Sequence, residues 1–235
     1  MAICCDKIIS QYPTLDWDED VKYCPHQGIA YQTDMSHGIK YGKEYFDRYL
    51  SYDDTEIARA INVARILLTE KYCGSLLDVG IGSGKFIRCS NIDVYGFDIN
   101  EYATAWLEAN NIFCSLTKES VKRFDGVTCW DSLEHMTAPS DFLDLFSPGM
   151  FLFLSIPLIG RLSSECTLEH LKASKHYKPN EHFYYFTRTG LIWFLTDCGF
   201  ELIEENDNEI KVGREEVYTF VFRKNRFKEN CHEDY

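Results

Sequence analysis

Apolar side chains between residues 54 and 73 recur at three- and four-residue spacing, at Ile57, Ile61, Ala64, Leu67 and Leu68. That period predicts an amphipathic helix, which Gly74 ends. Beyond it the apolar runs shorten to strand length, at 75–79, 93–97, 112–115, 126–130 and 150–156. Helical stretches separate them: 85–89, a helix capped by Asn100 and closed at Asn110, 118–123, and a short one opened by Pro139. Thr187 caps a last helix ending at Gly199, and strands at 200–205 and 217–222 flank an Asn/Asp turn. Alternating strands and helices closed by a hairpin predict an α/β domain, with a mostly parallel sheet and one antiparallel edge strand. Residues 1–50 lack a clean period and are expected to form an aromatic extension or lid, not part of a sheet. No clear strand is expected in 157–186. The chain therefore divides into a lid (1–53), one α/β domain (54–225) and a polar tail (226–235).

The most informative stretch is Leu76-Leu77-Asp78-Val79-Gly80-Ile81-Gly82-Ser83-Gly84-Lys85-Phe86. It reads as a buried strand, a glycine turn and a helix start. Glycine at every second position lets the backbone pass close under a ligand, with amide N–H groups free to hold its polar end. Asp78 sits where a carboxylate orients the turn or meets a cationic ligand group. Asp98, followed by Ile99, ends the second strand, where a carboxylate can accept hydrogen bonds from both ribose hydroxyls of an adenosine group. These features fit NAD or an adenosyl cofactor, but Lys85 stands where a dinucleotide fingerprint wants a third glycine or alanine.

Several motifs in order narrow the choice. Asp78 to Gly84 resembles the first motif of class I S-adenosylmethionine-dependent methyltransferases, and Asp98 falls where their ribose-binding acid sits. Phe124-Asp125-Gly126-Val127-Thr128-Cys129-Trp130-Asp131-Ser132-Leu133-Glu134-His135 is similar to their fourth motif, in the form common in the branch containing the ubiquinone-pathway O-methyltransferases. Glu181-His182-Phe183-Tyr184-Tyr185-Phe186-Thr187, leading to Cys198-Gly199-Phe200, resembles the segment after the fifth strand in that branch. The resemblance covers roughly residues 55–222. It implies a Rossmann-like seven-stranded sheet of order 3-2-1-4-5-7-6, strand 7 antiparallel, with helices on both faces. It implies S-adenosylmethionine as cofactor, held by Asp78, Gly80, Gly82, Gly84, Asp98, Ile99 and Asp131, and methyl transfer to a small-molecule or carrier-linked acceptor. The acid that often contacts adenine after the third strand is missing from Cys114-Ser115-Leu116.

Asp131, Glu134 and His135 stand at i, i+3 and i+4, so a helix after Trp130 would project all three from one face. Three readings stay open. His135 is a general base with Glu134 setting its tautomer; or Asp131, Glu134 and His135, joined by His182, hold a divalent metal ion against the acceptor; or Glu134 and His135 only brace the cofactor loop. His135, Glu134 and His182 are the catalytic candidates. Two rivals are a non-catalytic cofactor- or partner-binding module of the same fold and, further off, an NAD-linked oxidoreductase.

Charge changes the picture of partners. Asp plus Glu number 37 against 24 Lys plus Arg, a net −13, and no basic run offers a face to bulk nucleic acid. Lys172, Lys175 and Lys178 form the one local basic patch, and 174–178 is either a phosphate loop or a solvated turn. Ten cysteines scattered through core segments read as reduced thiols of a cytoplasmic protein. No secretory signal or membrane-length apolar run is present. Cys4, Cys5, Cys24 and His26 lack the paired spacing of a zinc site. His37, Tyr41, Tyr45 and Phe46 in the expected lid either stack on a planar acceptor or pack the extension onto the domain. Nothing in the sequence addresses oligomeric state.

Overall fold

The computed structural model describes residues 6–36, 38–39 and 41–225. Three short strands come first: β1 (Leu15–Asp16), β2 (Val21–Cys24) and β3 (Ile29–Gln32). Helices α1 (Lys43–Tyr52) and α2 (Glu56–Glu70) lead into β4 (Ser75–Val79), α3 (Lys85–Cys89), β5 (Asp93–Phe97) and α4 (Glu101–Ala109). Then come α5 (Lys118–Val121), β6 (Gly126–Trp130), α6 (Pro139–Leu143) and β7 (Phe151–Pro157). The remainder is α7 (Leu168–Ala173), β8 (Tyr184–Phe186), α8 (Arg188–Asp197), β9 (Phe200–Asn206), α9 (Asn208–Lys211) and β10 (Val217–Lys224).

The main sheet has six strands in the order β5-β4-β6-β7-β10-β9. β5, β4, β6 and β7 are parallel, and β10 runs antiparallel to both β7 and β9. Leu76, Leu77, Val127, Leu152, Phe153 and Leu154 are fully buried, as strands covered on both faces require. The central strands thus follow the expected plan, with two corrections at its margins.

The third strand of the expected seven, at 112–115, is not formed. It is reduced to one parallel bridge between Phe113 and Gly96, with hydrogen bonds from Gly96 N to Ile112 O and from Cys114 N to Gly96 O, 2.9 Å each. Phe113 is exposed, so extending the pairing would bury little, and the chain leaves the edge at once for α5, whose first turn Thr117 caps.

Residues 15–32 form strands where a lid was expected, and β8 lies in the segment read as strandless. Together they make an antiparallel sheet, β1-β2-β3-β8. Ile29 and Tyr31 face the main core, whereas Ala30, Tyr185 and Val21 pack with Ile159 and Leu171 on the other side. Strands this short, paired across some 150 residues of chain, leave no local period to detect. Residues of α1 and described residues beside it line the cavity. His37 and the tail 226–235 lie outside the described residues.

The small sheet is fastened to the main domain at the start of α8. Thr187 donates from both its backbone N and its Oγ1 to the Gly28 carbonyl, at 2.9 and 3.0 Å. A Cβ at Gly190 would strike the Gln27 and Gly28 carbonyls, so only glycine allows this approach. Gly190→Ala is therefore expected to lower stability by about 1–3 kcal/mol, the cost of overpacking a rigid contact. Urea unfolding monitored by tryptophan fluorescence would register a lower midpoint at unchanged slope.

Candidate functional site

The carboxyl ends of β4, β5 and β6 open into a cavity of about 940 Å³, where open α/β sheets place their ligands. Its floor is the glycine turn. Gly80, Gly82 and Gly84 all have positive φ, at 80°, 55° and 79°. A Cβ on Gly80 would collide with Ser132, and one on Gly84 would come within 2.7 Å of the Trp106 ring. Gly80 N donates to Phe97 O at 2.8 Å, which ties the turn to the end of β5.

Asp78 is buried in β4. Thr128 Oγ1 donates to its Oδ1 at 2.6 Å, while its Oδ2 has no partner among the described residues. Burial pushes the Asp78 carboxyl up to about 7. An orphaned, buried carboxylate oxygen beside a cavity suits a ligand ammonium or N–H. Asp98 accepts from Asn100 N at 2.8 Å, and burial raises its carboxyl against the opposing backbone hydrogen bonds. The next residue, Ile99, lines the cavity yet stays 74% exposed, an apolar surface with nothing of the chain upon it.

The segment after β6 departs from expectation. Leu133–His135 is a single 3-10 turn, and Asp131 takes a left-handed φ of 53°, so no common helical face forms. Asp131 faces two arginines instead: Arg214 reaches its two oxygens at 2.8 and 2.9 Å, and Arg65 reaches Oδ2 at 3.2 Å. Buried Glu209 completes the cluster against both guanidiniums. The arginines hold the Asp131 carboxyl well below the ordinary range. The set Asp131, Glu134 and His135 is therefore not assembled as metal ligands.

What the structure gathers is Glu134, His135 and His182, each with one donor atom within 4.8 Å of the others. The rings of His135 and His182 meet edge to face at 4.7 Å. Burial pushes Glu134 up to about 8, His135 down to about 4 and His182 down to about 2, so at neutral pH all three favour the uncharged form. Glu134 does not set the His135 tautomer; the partner of His135 Nδ1 is Tyr41 Oη, at 3.0 Å.

The N-terminal segment roofs the cavity. Tyr49 packs over Gly82, Tyr45 Oη meets Tyr49 Oη at 3.1 Å, and Arg48 lies over the Tyr45 ring at 4.5 Å. Asp53, just past α1, holds Ser83 Oγ at 2.6 Å and Arg88 at 3.0 Å, and its carbonyl accepts from Lys85 Nζ. Asp53, Arg65 and Arg214 escaped sequence reasoning. Of the two arginines of α2, Arg59 is exposed and Arg65 stands beside the apolar positions Ile61 and Leu68, which was the one available hint; nothing marked Arg214. The basic patch is spent internally: Lys172 pairs with Asp18, Lys175 with Glu215 and Lys178 with Glu181. Ser174 Oγ donates to Glu216 and His176 Nε2 lies 3.0 Å from the Glu215 carbonyl, so 174–178 is tied to the chain itself. No helix among the described residues is long and apolar enough to cross a membrane.

A family model described as a methyltransferase domain matches residues 49–205. Among curated proteins none matches the chain. Solved structures share its fold. The 1,6-didemethyltoxoflavin-N1-methyltransferase of Burkholderia thailandensis, with bound 1,6-didemethyltoxoflavin and S-adenosylhomocysteine, is 17% identical, with 77% of this chain and 84% of that chain covered and a TM-score of 0.51. Magnesium protoporphyrin IX methyltransferase of Synechocystis, with bound S-adenosylhomocysteine, is 17% identical over 79% of this chain and 96% of that one, TM-score 0.52. The 4+2 cyclase SpnF is 15% identical over 80% and 99%, TM-score 0.52.

The buried carboxyls carry a pH signature. From about one unit above the ordinary histidine pKa of 6.5, His135 and His182 are neutral folded or unfolded, so there the site contributes through Asp78 and Glu134. Their raised folded values mean that the native site keeps protons the unfolded chain has already lost, so stability falls as pH rises through this window. Urea unfolding between about pH 7.5 and 8.5 is expected to show that fall, and Glu134→Gln is expected to make it shallower.

Proposed function

This chain belongs to the methyltransferase domain family, and we propose that it transfers the methyl group of S-adenosylmethionine to a small-molecule or carrier-linked acceptor bound in the same cavity. The observation that carries the reading is the left-handed glycine turn after β4 with Asp98 beside it at the end of β5. In this reading the turn lies under the methionine portion, and the free Asp78 Oδ2 accepts from its ammonium group. Asp98 accepts from the ribose hydroxyls. Ile99, with Phe97 and Leu116 also lining the cavity, offers apolar surface to the adenine in place of the absent acid. Two of the fold relatives hold S-adenosylhomocysteine, which supports the identity of the cofactor.

When bound, the cofactor supplies an electrophilic methyl carbon on its sulfonium. The residues of this chain align the acceptor with that carbon and keep water out, and alignment alone can supply much of the rate of an in-line displacement. The neutral cluster of Glu134, His135 and His182 fits an acceptor held by hydrogen bonds. A divalent ion held by Asp131, Glu134 and His135 is not part of the proposal, because Asp131 is already matched by two arginines.

Calorimetric titration tests the reading. S-Adenosylhomocysteine is expected to bind and NAD is not. Asp98→Ala is expected to weaken that binding by roughly tenfold to a hundredfold, as loss of charge-assisted hydrogen bonds implies. No binding of S-adenosylhomocysteine by the intact chain would overturn the reading.

A further inference from the structure

Tyr41 precedes the family-matched segment 49–205, yet its hydroxyl reaches into the acceptor end of the cavity. It lies 3.0 Å from His135 Nδ1. The chain is pinned on both sides of it: Ile39 N donates to Asn180 O at 3.1 Å, and Asn100 Nδ2 donates to Gly42 O at 3.3 Å. The Tyr45 ring meets the Tyr41 ring at right angles, 4.7 Å between centroids. Tyr41 therefore has one place to stand, between the loop that carries His182 and the turn that follows β5.

The direction of the Tyr41–His135 bond follows from proton accounting. Burial raises the Tyr41 phenol and lowers the His135 imidazolium, so the pair meets as a hydroxyl and a neutral ring, with one proton between them to place. A phenol is the more acidic donor of the two and an imidazole nitrogen the stronger acceptor, so the 3.0 Å contact runs from the Tyr41 hydroxyl to the ring. The hydroxyl therefore donates to Nδ1 and the ring proton belongs on Nε2, in a ring that the Glu181 backbone also contacts.

We propose that Tyr41 is a positioning residue that locks His135 in its Nε2–H tautomer, so that this histidine offers the acceptor a hydrogen-bond donor instead of a base. The proposal rests on the methyltransferase reading for what occupies the cavity, and it narrows the acceptor class. Acceptors with a lone pair turned toward His135 (a carbonyl, a phenolate or a ring nitrogen) are favoured. Those that require proton removal by this imidazole are not. The N-terminal segment thereby takes part in acceptor recognition as well as covering the cofactor.

Long-range proton–nitrogen NMR spectra of the full chain labelled with nitrogen-15 histidine test this directly. His135 signals, assigned by their loss in His135→Gln, are expected in the pattern of a single Nε2–H tautomer near pH 7.5. Tyr41→Phe keeps the ring but removes the proton donor, and a shift to a mixture of tautomers is expected, while His26, stacked on Tyr12, stays unchanged. An Nδ1–H pattern in the unmodified chain overturns the proposal without recourse to any variant. So does an unaltered Nε2–H pattern in Tyr41→Phe. S-Adenosylhomocysteine titrated into the same samples separates the two claims: if the unmodified chain fails to bind it, the functional reading falls, and the tautomer still decides the role of Tyr41.

Discussion

Two guanidinium groups decide where the loop after β6 can go. Arg65 comes from the helix before the first parallel strand, and Arg214 from the connection into the last strand. Both close on Asp131. A carboxylate so placed cannot also turn toward Glu134 and His135, and its left-handed backbone redirects the chain at that point. With Glu209 the cluster holds two positive and two negative groups, so its charges are balanced inside the fold. Breaking one partner would strand the others in a poorly solvated place, which is why such clusters resist rearrangement. The geometry of the acceptor end is a consequence of this arrangement.

The cavity accordingly has two ends of different chemistry. At the glycine turn, backbone amides and the carboxyls of Asp78 and Asp98 face the ligand, an arrangement suited to a cationic, hydroxyl-rich molecule. At the other end, burial drives Glu134, His135 and His182 toward neutrality, and tyrosine hydroxyls supply the polarity. A site of low local dielectric strengthens whatever hydrogen bonds it makes and penalises any charge left alone. Two buried carboxyl oxygens have no partner among the described residues, Asp78 Oδ2 beside the glycine turn and Glu134 Oε2 at the other end.

The glycine turn and the place of Asp98 after β5 were legible in the sequence because their requirements are local. Gly80, Gly82 and Gly84 are needed where the backbone turns left-handed under a ligand, and Asp98 is fixed by its place at a strand end. The acceptor half was not legible in the same way. Asp131, Glu134 and His135 suggested a shared face through helical spacing, and one left-handed residue cancelled it. Tyr41 stood out as an aromatic residue of an expected lid, but its bond to His135 spans 94 positions. β3 and β8 are each too short to show a period, and their pairing is visible only in three dimensions. Phe113 shows the opposite error: an apolar run with strand character lay beside a sheet edge that gave it nothing to cover.

Position along the chain sorts these roles. The segment matched by the family model begins within α1, so the glycine turn, Asp98 and the loop after β6 belong to what this chain shares with its family. β1 to β3, Tyr41 and Tyr45 precede that segment. They bind to it through the Gly28–Thr187 contact and the hydrogen bonds of residues 39–42, and the small sheet recruits β8, two residues beyond His182. The N-terminal strands are thus joined to His182 by one short stretch of backbone, and Tyr41 joins their segment to His135. The glycine turn is anchored separately, to β5 through Gly80 and Phe97 and to α1 through Asp53. The fold thus lets the acceptor end be shaped by the N-terminal segment while the cofactor end keeps its own supports.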